Sequence, residues 1–440
     1  MKSLFRLLPL VAALSAVTAL PAHAQSLVEL YEAARTYDAS FQSAKLQYDA
    51  TLARAEQSRA GTLPTVGLAM AMSRSHLNSS ARLPNPAFGS ESATVSASQP
   101  LYRPANQLTF EQGKKSIESA QAQLQVAEQD LVVRISQAYF DVLAAQDAVA
   151  FVAANKTAVS EQLASAKRNF EVGTSTITDT REAQARFDLV TAQQIAAEND
   201  LLVKRLALDQ LVGRPGTVPK PLLPPVALPA LLPPDVTTWI NQAIDEHPVL
   251  RQAAVALEVA QLETRKAQAG NLPTLDLNGS FAMARNDGSS TTRVNSSTNT
   301  TSVALAFNLP LFAGYAIQNR IKETIALEDK ARSDLEAARR TISQNTRAAF
   351  FGVLSGQGQV KALEAAEASS QSALDANKLG YQVGVRINID VLNAQSQLFQ
   401  TKRDLARARY DVLVGGLRLR QANGSLKPDD IQAINSLLVK

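Results

Sequence analysis

One phrase of sixteen residues occurs twice in the chain. Residues 380–395 read GYQVGVRINIDVLNAQ, and residues 169–184 read NFEVGTSTITDTREAQ. At matching positions each phrase has an aromatic residue, then Val-Gly, then Asp, then Ala-Gln. Because so specific a pattern returns in the other half of the same chain, we predict that the two halves are structural copies.

Other short matches occur in the same order. AGTLPT at 60–65 returns as AGNLPT at 269–274, and AYFDVL at 138–143 returns as AFFGVL at 349–354. The sequence therefore predicts a tandem repeat whose parts are separated by a connector rich in proline. The predicted parts are a signal peptide at 1–24, a first repeat at 25–212, a connector at 213–234, a second repeat at 235–423 and a tail at 424–440.

The composition limits the possible classes of protein. The 440 residues are 45% apolar but only 5% aromatic, which suits long, closely packed helices. The chain has no cysteine, which excludes disulfides, thiolate metal sites and a lipid on an N-terminal cysteine. The formal net charge of +4 is a small excess over a long chain, so we expect no nucleic-acid partner.

The first residues have the pattern of a secretory signal. Lys2 and Arg6 precede an apolar run at 7–20, and Ala22-His23-Ala24 has the A-x-A form of a cleavage site. The alternative is a retained membrane anchor. The run has about 14 residues and a spanning helix needs ~20, so the pattern favours cleavage.

Two long windows lack proline, between Pro104 and Pro215 and between Pro310 and Pro428. In the first, apolar or small residues recur at heptad spacing, which predicts helices that pack as a coiled coil. A helix over about 104–171 would have roughly 68 residues and a length of about 100 Å. The second window predicts the matching helical hairpin at 313–423.

Segments before each long helix change to a period of two. Apolar residues alternate there with polar or small ones, which predicts strands with one apolar face. The predicted strands are about 63–76, 91–102, 272–285 and 300–312. Their length matches a tilted transmembrane strand, although a half-buried soluble sheet would show the same alternation. Four strands cannot close a barrel, so the membrane interpretation requires several copies of the chain.

In these features the sequence resembles the TolC family of trimeric outer-membrane exit ducts. The phrase at 380–395 and the pattern L-x(6)-LARARY at 398–410 carry the resemblance, which covers essentially the whole mature chain. It implies an α+β membrane protein: a trimeric 12-stranded β-barrel in outer-membrane lipid, continued by a coiled-coil tunnel of α-helices. It also implies a periplasmic adaptor and an inner-membrane ABC or RND-type transporter as partners.

The differences between the two phrases predict a gate. The second phrase has Tyr381 and Arg386 where the first has Phe170 and Ser175. A guanidinium and a phenol can donate hydrogen bonds to carboxylate, hydroxyl or backbone oxygens. The resemblance implies that Tyr381 and Arg386 bind Thr178 and Asp179, within and between protomers, and hold the tunnel entrance shut.

The resemblance assigns two further sets of residues. Asp390 would line the entrance constriction as a ring of three carboxylates, and Asn393 would replace the second acidic position of many relatives. The ring is therefore expected to trap cations more weakly than six carboxylates would. The predicted adaptor contacts are Val172, Gly173 and Thr174 in the first turn and Val383, Gly384 and Val385 in the second. The glycines are also explained by the turns alone.

We find no pattern typical of a catalytic site. The sequence has no phosphate-binding glycine loop, and His76 and His247 are isolated, so no metal or other cofactor is expected. Two other classes stay open. A stand-alone porin would carry its own full set of strands, and a soluble periplasmic scaffold would leave the alternating strands unexplained.

Overall fold

A computed structural model describes residues 24–80 and 83–439, so the predicted signal peptide lies outside the described residues except for Ala24. The chain divides into two compact units. The first, here called the helical unit, comprises Gln125–His247, Arg340–Lys440 and the segment up to Ala44. The second, here called the strand unit, comprises Lys45–Leu124 and Pro248–Arg339.

Both halves have the same order of elements: two helices, a 3-10 turn, two strands and two further helices. In the first half these are α1 (Leu27–Tyr37), α2 (Ala39–Arg59), β1 (Thr65–His76), β2 (Ala87–Tyr102), α3 (Pro104–Glu171) and α4 (Ile177–Val212). In the second half they are α5 (Val236–Glu246), α6 (Pro248–Gln268), β3 (Thr274–Asn286), β4 (Ser296–Asn308), α7 (Ala316–Gln382) and α8 (Asn388–Ala422), followed by α9 (Asp430–Asn435). Among the described residues, no helix has both the length and the apolar character that crossing a membrane requires.

The strand unit holds one antiparallel sheet in the order β1-β2-β3-β4. This confirms the predicted number of strands. The register aligns apolar side chains across neighbouring strands, as in the row Leu68, Val95 and Phe281. In β1 the apolar residues of this face are 62% to 81% exposed, so none of the described residues covers the face. These exposed residues are Val66, Leu68, Met70 and Met72.

The opposite face of the sheet is polar. Ser98 donates to Asn278 over 2.7 Å, and Ser280 and Ser302 share a hydrogen bond of 2.7 Å. The alternation along each strand therefore separates an apolar face from a hydroxyl- and amide-bearing face, as the period of two predicts. Each outer strand, β1 and β4, pairs on one side only within the described residues.

The strand boundaries differ from the prediction at their polar ends. β2 begins at Ala87 instead of residue 91, and β4 occupies Ser296–Asn308 instead of 300–312. The prediction that β4 extends to Phe312 is wrong because Leu309–Phe312 lies outside the strand. Pro310 lacks a backbone N–H and cannot donate to a sheet ladder.

The helices beside the sheet in the strand unit are joined by a charged cluster. Glu263 of α6 accepts a hydrogen bond of 2.9 Å from Gln112 of α3 and pairs with Arg320 of α7 at 2.8 Å. Hydrogen bonds from Gln112 and Arg320 hold the pKa of the Glu263 carboxyl below its usual range. The cluster therefore joins helices from both halves of the chain at one carboxylate.

The helical unit is organised around the buried face of α3. Leu131, Ile135 and Tyr139 are fully buried there. Arg134 binds Asp38 with two hydrogen bonds of 3.0 Å, while Asp38 accepts from the backbone N–H of Phe41 at the start of α2. The Arg134 guanidinium holds the pKa of the Asp38 carboxyl below its usual range. This ion pair fixes the end of α1 against α3.

The connector and the tail pack together in the helical unit. Leu222 and Leu438 form an antiparallel bridge, and the backbone N–H of Leu223 donates to Leu437 over 2.9 Å. Trp239 of α5 donates through its indole N–H to the carbonyl of Pro233 over 2.9 Å. Both segments therefore have fixed partners, although neither forms a long helix or strand.

Candidate gate at the helix turns

The two repeated phrases form two turns with the same backbone hydrogen bonds. In the first, the N–H groups of Thr174 and Ser175 both donate to the carbonyl of Asn169. In the second, those of Val385 and Arg386 donate to the carbonyl of Gly380. Gly173 and Gly384 have φ angles of 79° and 80°, so each turn requires glycine at this position.

The second turn contains a substitution that makes room for Arg386. A Cβ atom on Gly380 would lie 2.7 Å from Cγ and 3.3 Å from Cβ of Arg386. The first turn has Asn169 at the matching position, and there the small Ser175 replaces the arginine. The glycine and the arginine therefore form a pair that only the second turn has. Comparison of the two phrases could have identified Gly380, but the sequence analysis missed it.

Tyr381 joins the second turn to the first hairpin. Its hydroxyl accepts a hydrogen bond of 3.2 Å from the Asn169 amide, and its ring packs against the cluster of Leu374, Val391 and Leu398. Phe170, the matching residue of the first turn, lacks a hydroxyl. The link from Tyr381 to the first hairpin therefore depends on the phenol group, but its partner is Asn169 instead of Thr178 or Asp179.

Arg386 and Asp390 form an ion pair of 3.7 Å along the start of α8. Their side chains are 59% and 33% exposed, so water screens the pair and its net contribution is at most about 1 kcal/mol. Within one chain, therefore, the carboxylate predicted to line the constriction has a guanidinium beside it.

Asp179 is used locally, at the start of α4. It accepts hydrogen bonds from the Ser175 hydroxyl over 2.7 Å and from the Thr176 backbone N–H over 2.9 Å, in a capping box. The Ser175 hydrogen bond holds the pKa of the Asp179 carboxyl below its usual range. In the described part of the single chain, hydrogen bonds and ion pairs do not join Tyr381 or Arg386 to Thr178 or Asp179. A latch between neighbouring chains stays a prediction.

Asn393 contacts Arg186, a residue without a role predicted from the sequence. Arg186 of α4 donates from Nη2 to the Asn393 side-chain oxygen over 2.5 Å. The second half of the chain has a glutamine, Gln397, at the position that matches Arg186. The neutral residue at the predicted constriction is therefore hydrogen-bonded to a cation of the first hairpin.

Three polar pairs form a ladder between α3 and the second hairpin. Asn155 accepts from Gln395 over 3.4 Å, Gln162 donates to Asn388, and Asn169 donates to Tyr381. On each side the members are seven residues apart in the sequence, in opposite chain directions, and Tyr381 lies before the turn that separates α7 from α8. Apolar side chains pack beside them, including Val159, Leu163 and Leu392. Polar residues at regular positions of a helical seam fix its register. The ladder is thus a device that aligns the two hairpins.

The middle pair of the ladder gives a test. Asn388 is 2% exposed, and its Nδ2 has no hydrogen-bond partner among the described residues. We predict that Gln162→Leu lowers the free energy of unfolding by about 1–3 kcal/mol, because the buried amide loses its remaining bond. Adding Asn388→Leu should recover most of the loss, since both polar groups are then replaced.

The measurement is the unfolding midpoint in denaturant for the four variants of the double-mutant cycle. Glu161→Leu is the matched control, because Glu161 precedes Gln162 in α3 and is exposed. Equal effects of the substitutions at 161 and 162 would contradict the ladder.

The predicted adaptor-contact residues lie at the surface of the turns. Val172, Val383 and Val385 are 73%, 65% and 76% exposed. No atom lies within 4 Å of a Cβ built on Gly173 or Gly384, so both glycines face open space. Exposed valines beside open glycines give each turn an apolar surface that no part of the chain described by the structure covers.

The sequence matches the outer membrane efflux protein family over residues 30–214 and 239–425. The chain belongs to this family. Outer membrane protein TolC of Vibrio cholerae is 31% identical over 414 residues, which cover 94% of each chain. Alkaline protease secretion protein AprF of Pseudomonas aeruginosa is 29% identical, and the aligned region covers 94% of this chain and 87% of AprF.

The fold is also similar to a solved structure. The crystal structure of the outer membrane protein VceC from Vibrio cholerae has a TM-score of 0.76 at 18% identity, covering 90% of this chain and 96% of VceC. The family match and the TolC relative place the chain in the outer membrane and confirm the family predicted from the repeated phrase.

Proposed function

We propose that this chain is the outer-membrane exit duct of a tripartite export system. Membership of the efflux protein family supports the duct. The relative AprF is named as an alkaline protease secretion protein. This supports the export of proteins in addition to the efflux of small toxic compounds. The partners in this proposal are a periplasmic adaptor and an inner-membrane transporter of the ABC or RND type.

The observation that carries the proposal is the exposed apolar face of the sheet. Its side chains, such as Met70 and Val303, are more than 70% exposed within the chain. A face of this kind is stable in lipid but not in water. The sheet is therefore the part of the chain that meets the outer membrane.

The two unpaired edges of the sheet support an assembly of several chains, and the family resemblance selects a trimer. Unpaired backbone groups in lipid cost several kcal/mol each, so the open sides of β1 and β4 require partners. A second and a third copy of the chain supply them, which gives a barrel of 12 strands. The shared order of elements in the two halves supports the tandem repeat, with the domain boundaries predicted from the sequence.

The turns at 169–175 and 380–386 are the entrance of the duct in this proposal. Each lies at the C-terminal end of a helix of 68 or 67 residues. The exposed valines of both turns form the adaptor contact. Tyr381, Arg386, Thr178 and Asp179 form the gate between chains, and Asp390 with Asn393 lies at the constriction.

The proposal is tested on mature protein extracted from outer membranes in detergent. We expect the mass of three chains by native mass spectrometry and discrete conductance steps in a planar lipid bilayer. A monomer with conductance would favour a stand-alone porin. Mature protein that is stable without detergent and inactive in bilayers would overturn the proposal and favour the soluble scaffold.

A further inference from the structure

The polar face of the sheet has an unusual composition. Five successive cross-strand rows on this face contain only Gly, Ala, Ser, Thr and Asn. From the helix end outward the rows are Thr65-Ser98-Asn278-Ala304, Gly67-Ser96-Ser280-Ser302, Ala69-Thr94-Ala282-Thr300, Ala71-Ser92-Ala284-Thr298 and Ser73-Ser90-Asn286-Ser296. These rows have neither a charged group nor a large apolar side chain.

The next row toward the helices holds the exception. Asp276 pairs in register with Pro100 and Ala306, on the same face as Asn278. Its carboxylate is bound by the Arg103 guanidinium with two hydrogen bonds of 2.7 Å and 2.6 Å. Asp276 is only 8% exposed, so the single carboxylate in these six rows is both covered and paired.

Two arginines, Arg74 and Arg285, lie on the opposite face of the sheet. Arg74 belongs to the apolar face, where it pairs in register with Gly89, and it is exposed. In the described part of the chain Arg74 has no ion pair. Arg103 and Arg74 therefore differ in role. Arg103 neutralises a carboxylate of the polar face, whereas Arg74 lies on the opposite face.

We propose that the polar face is a charge-neutral lining of the passage and that Arg103 is the residue that keeps it neutral. A surface with fixed charges attracts one sign of ion and repels the other. A neutral surface of small hydroxyl and amide groups does neither, and it offers no apolar patch to hold a passing chain. The strand section then passes polypeptides and small molecules of either charge, and selection by charge occurs elsewhere in the duct.

This inference rests on the proposed function, because the face must line a passage. The experiment measures the ratio of K⁺ to Cl⁻ permeability from the reversal potential in a KCl gradient. All variants are made in one background, Tyr381→Phe, Arg386→Ser, Asp390→Asn, so that the entrance neither closes the duct nor adds a carboxylate ring.

We expect opposite shifts from the two partners of the ion pair. Arg103→Gln should raise the K⁺ to Cl⁻ ratio severalfold, because three unpaired carboxylates then face the passage. Asp276→Asn should lower the ratio, because three unpaired guanidinium groups remain. The double variant should return to the background value. Arg74→Gln, which removes the same charge from the opposite face, should leave the ratio unchanged.

The outcomes distinguish a failure of the neutral lining from a failure of the proposed exit duct. If no variant and no background protein forms a channel, the proposed duct fails and the lining fails with it. If channels form and the Arg103 and Arg74 variants have the same ratio, the duct stands and the neutral lining is wrong. Should Arg103→Gln not assemble, the shift toward Cl⁻ in Asp276→Asn decides.

Discussion

Purified protein with Tyr381→Phe and Arg386→Ser is expected to conduct severalfold more current per channel than the wild type. The two substitutions remove the phenol that accepts from Asn169 and the guanidinium beside Asp390. In the proposed trimer they also remove the two donors that are predicted to bind Thr178 and Asp179 of a neighbouring chain. Three copies of each lost bond, at about 1 kcal/mol per bond, are enough to shift a closed entrance toward open.

The two substitutions are expected to preserve the fold of the turn. They place in the second turn the residues that the first turn already has, Phe170 and Ser175, and the two turns share their backbone hydrogen bonds. Gly380 remains, so no new contact is forced. A change in conductance can therefore be assigned to the gate and not to a collapsed turn.

Arg181→Ser is the matched control for the gate. Arg181 lies near the start of α4 and is exposed, and its replacement removes the same charge close to the first turn. We expect it to leave conductance near the wild-type value. Equal conductance of wild type and the double variant would mean that the entrance is open at rest or that other residues close it.

The sequence predicted the two turns because their chemistry is local. A glycine with positive φ ends each long helix, and the residues around it repeat in order. The partners of the turn residues were harder to predict. Heptad spacing identifies the buried stripe of α3 but does not say which helix packs against it. The bonds from Asn169 to Tyr381 and from Arg186 to Asn393 therefore emerged only from the structure.

Asp179 has a local role that its sequence position indicates. Its position three residues after Thr176 is typical of a capping box, and the structure uses it so. The family resemblance assigned Asp179 to a gate instead. Both roles are compatible, because a carboxylate has room for several donors. In the single chain, however, the Asp179 carboxylate already accepts hydrogen bonds from Ser175 and Thr176 at the N-terminal cap of α4.

The strands were predictable from alternation, but their polar ends were not. The loops beside β2 and β4 are rich in Ser, Thr and Asn, which are also the residues of the polar face. Where both faces are polar, the period of two disappears and only backbone pairing defines the strand. This explains why β4 begins at Ser296, before the predicted start at residue 300.

The assignment of the two faces gives the second large expected effect. Val303 and Ser302 are neighbours near the middle of β4, and they lie on the apolar and polar faces respectively. Val303→Arg should abolish channels in the outer membrane. An arginine on the lipid face near the bilayer midplane costs about 2–4 kcal/mol per chain, and a trimer would carry three.

Ser302→Arg is the matched control, since the same side chain one position away would face the water-filled passage. We expect this variant to reach the outer membrane and form channels with altered ion selectivity. The measurement is the amount of trimer in the outer-membrane fraction, followed by bilayer recording. If Ser302→Arg were lost and Val303→Arg assembled normally, the faces would be reversed. If both assembled equally well, the sheet would not meet lipid, because only a lipid-facing position distinguishes the two arginines so strongly.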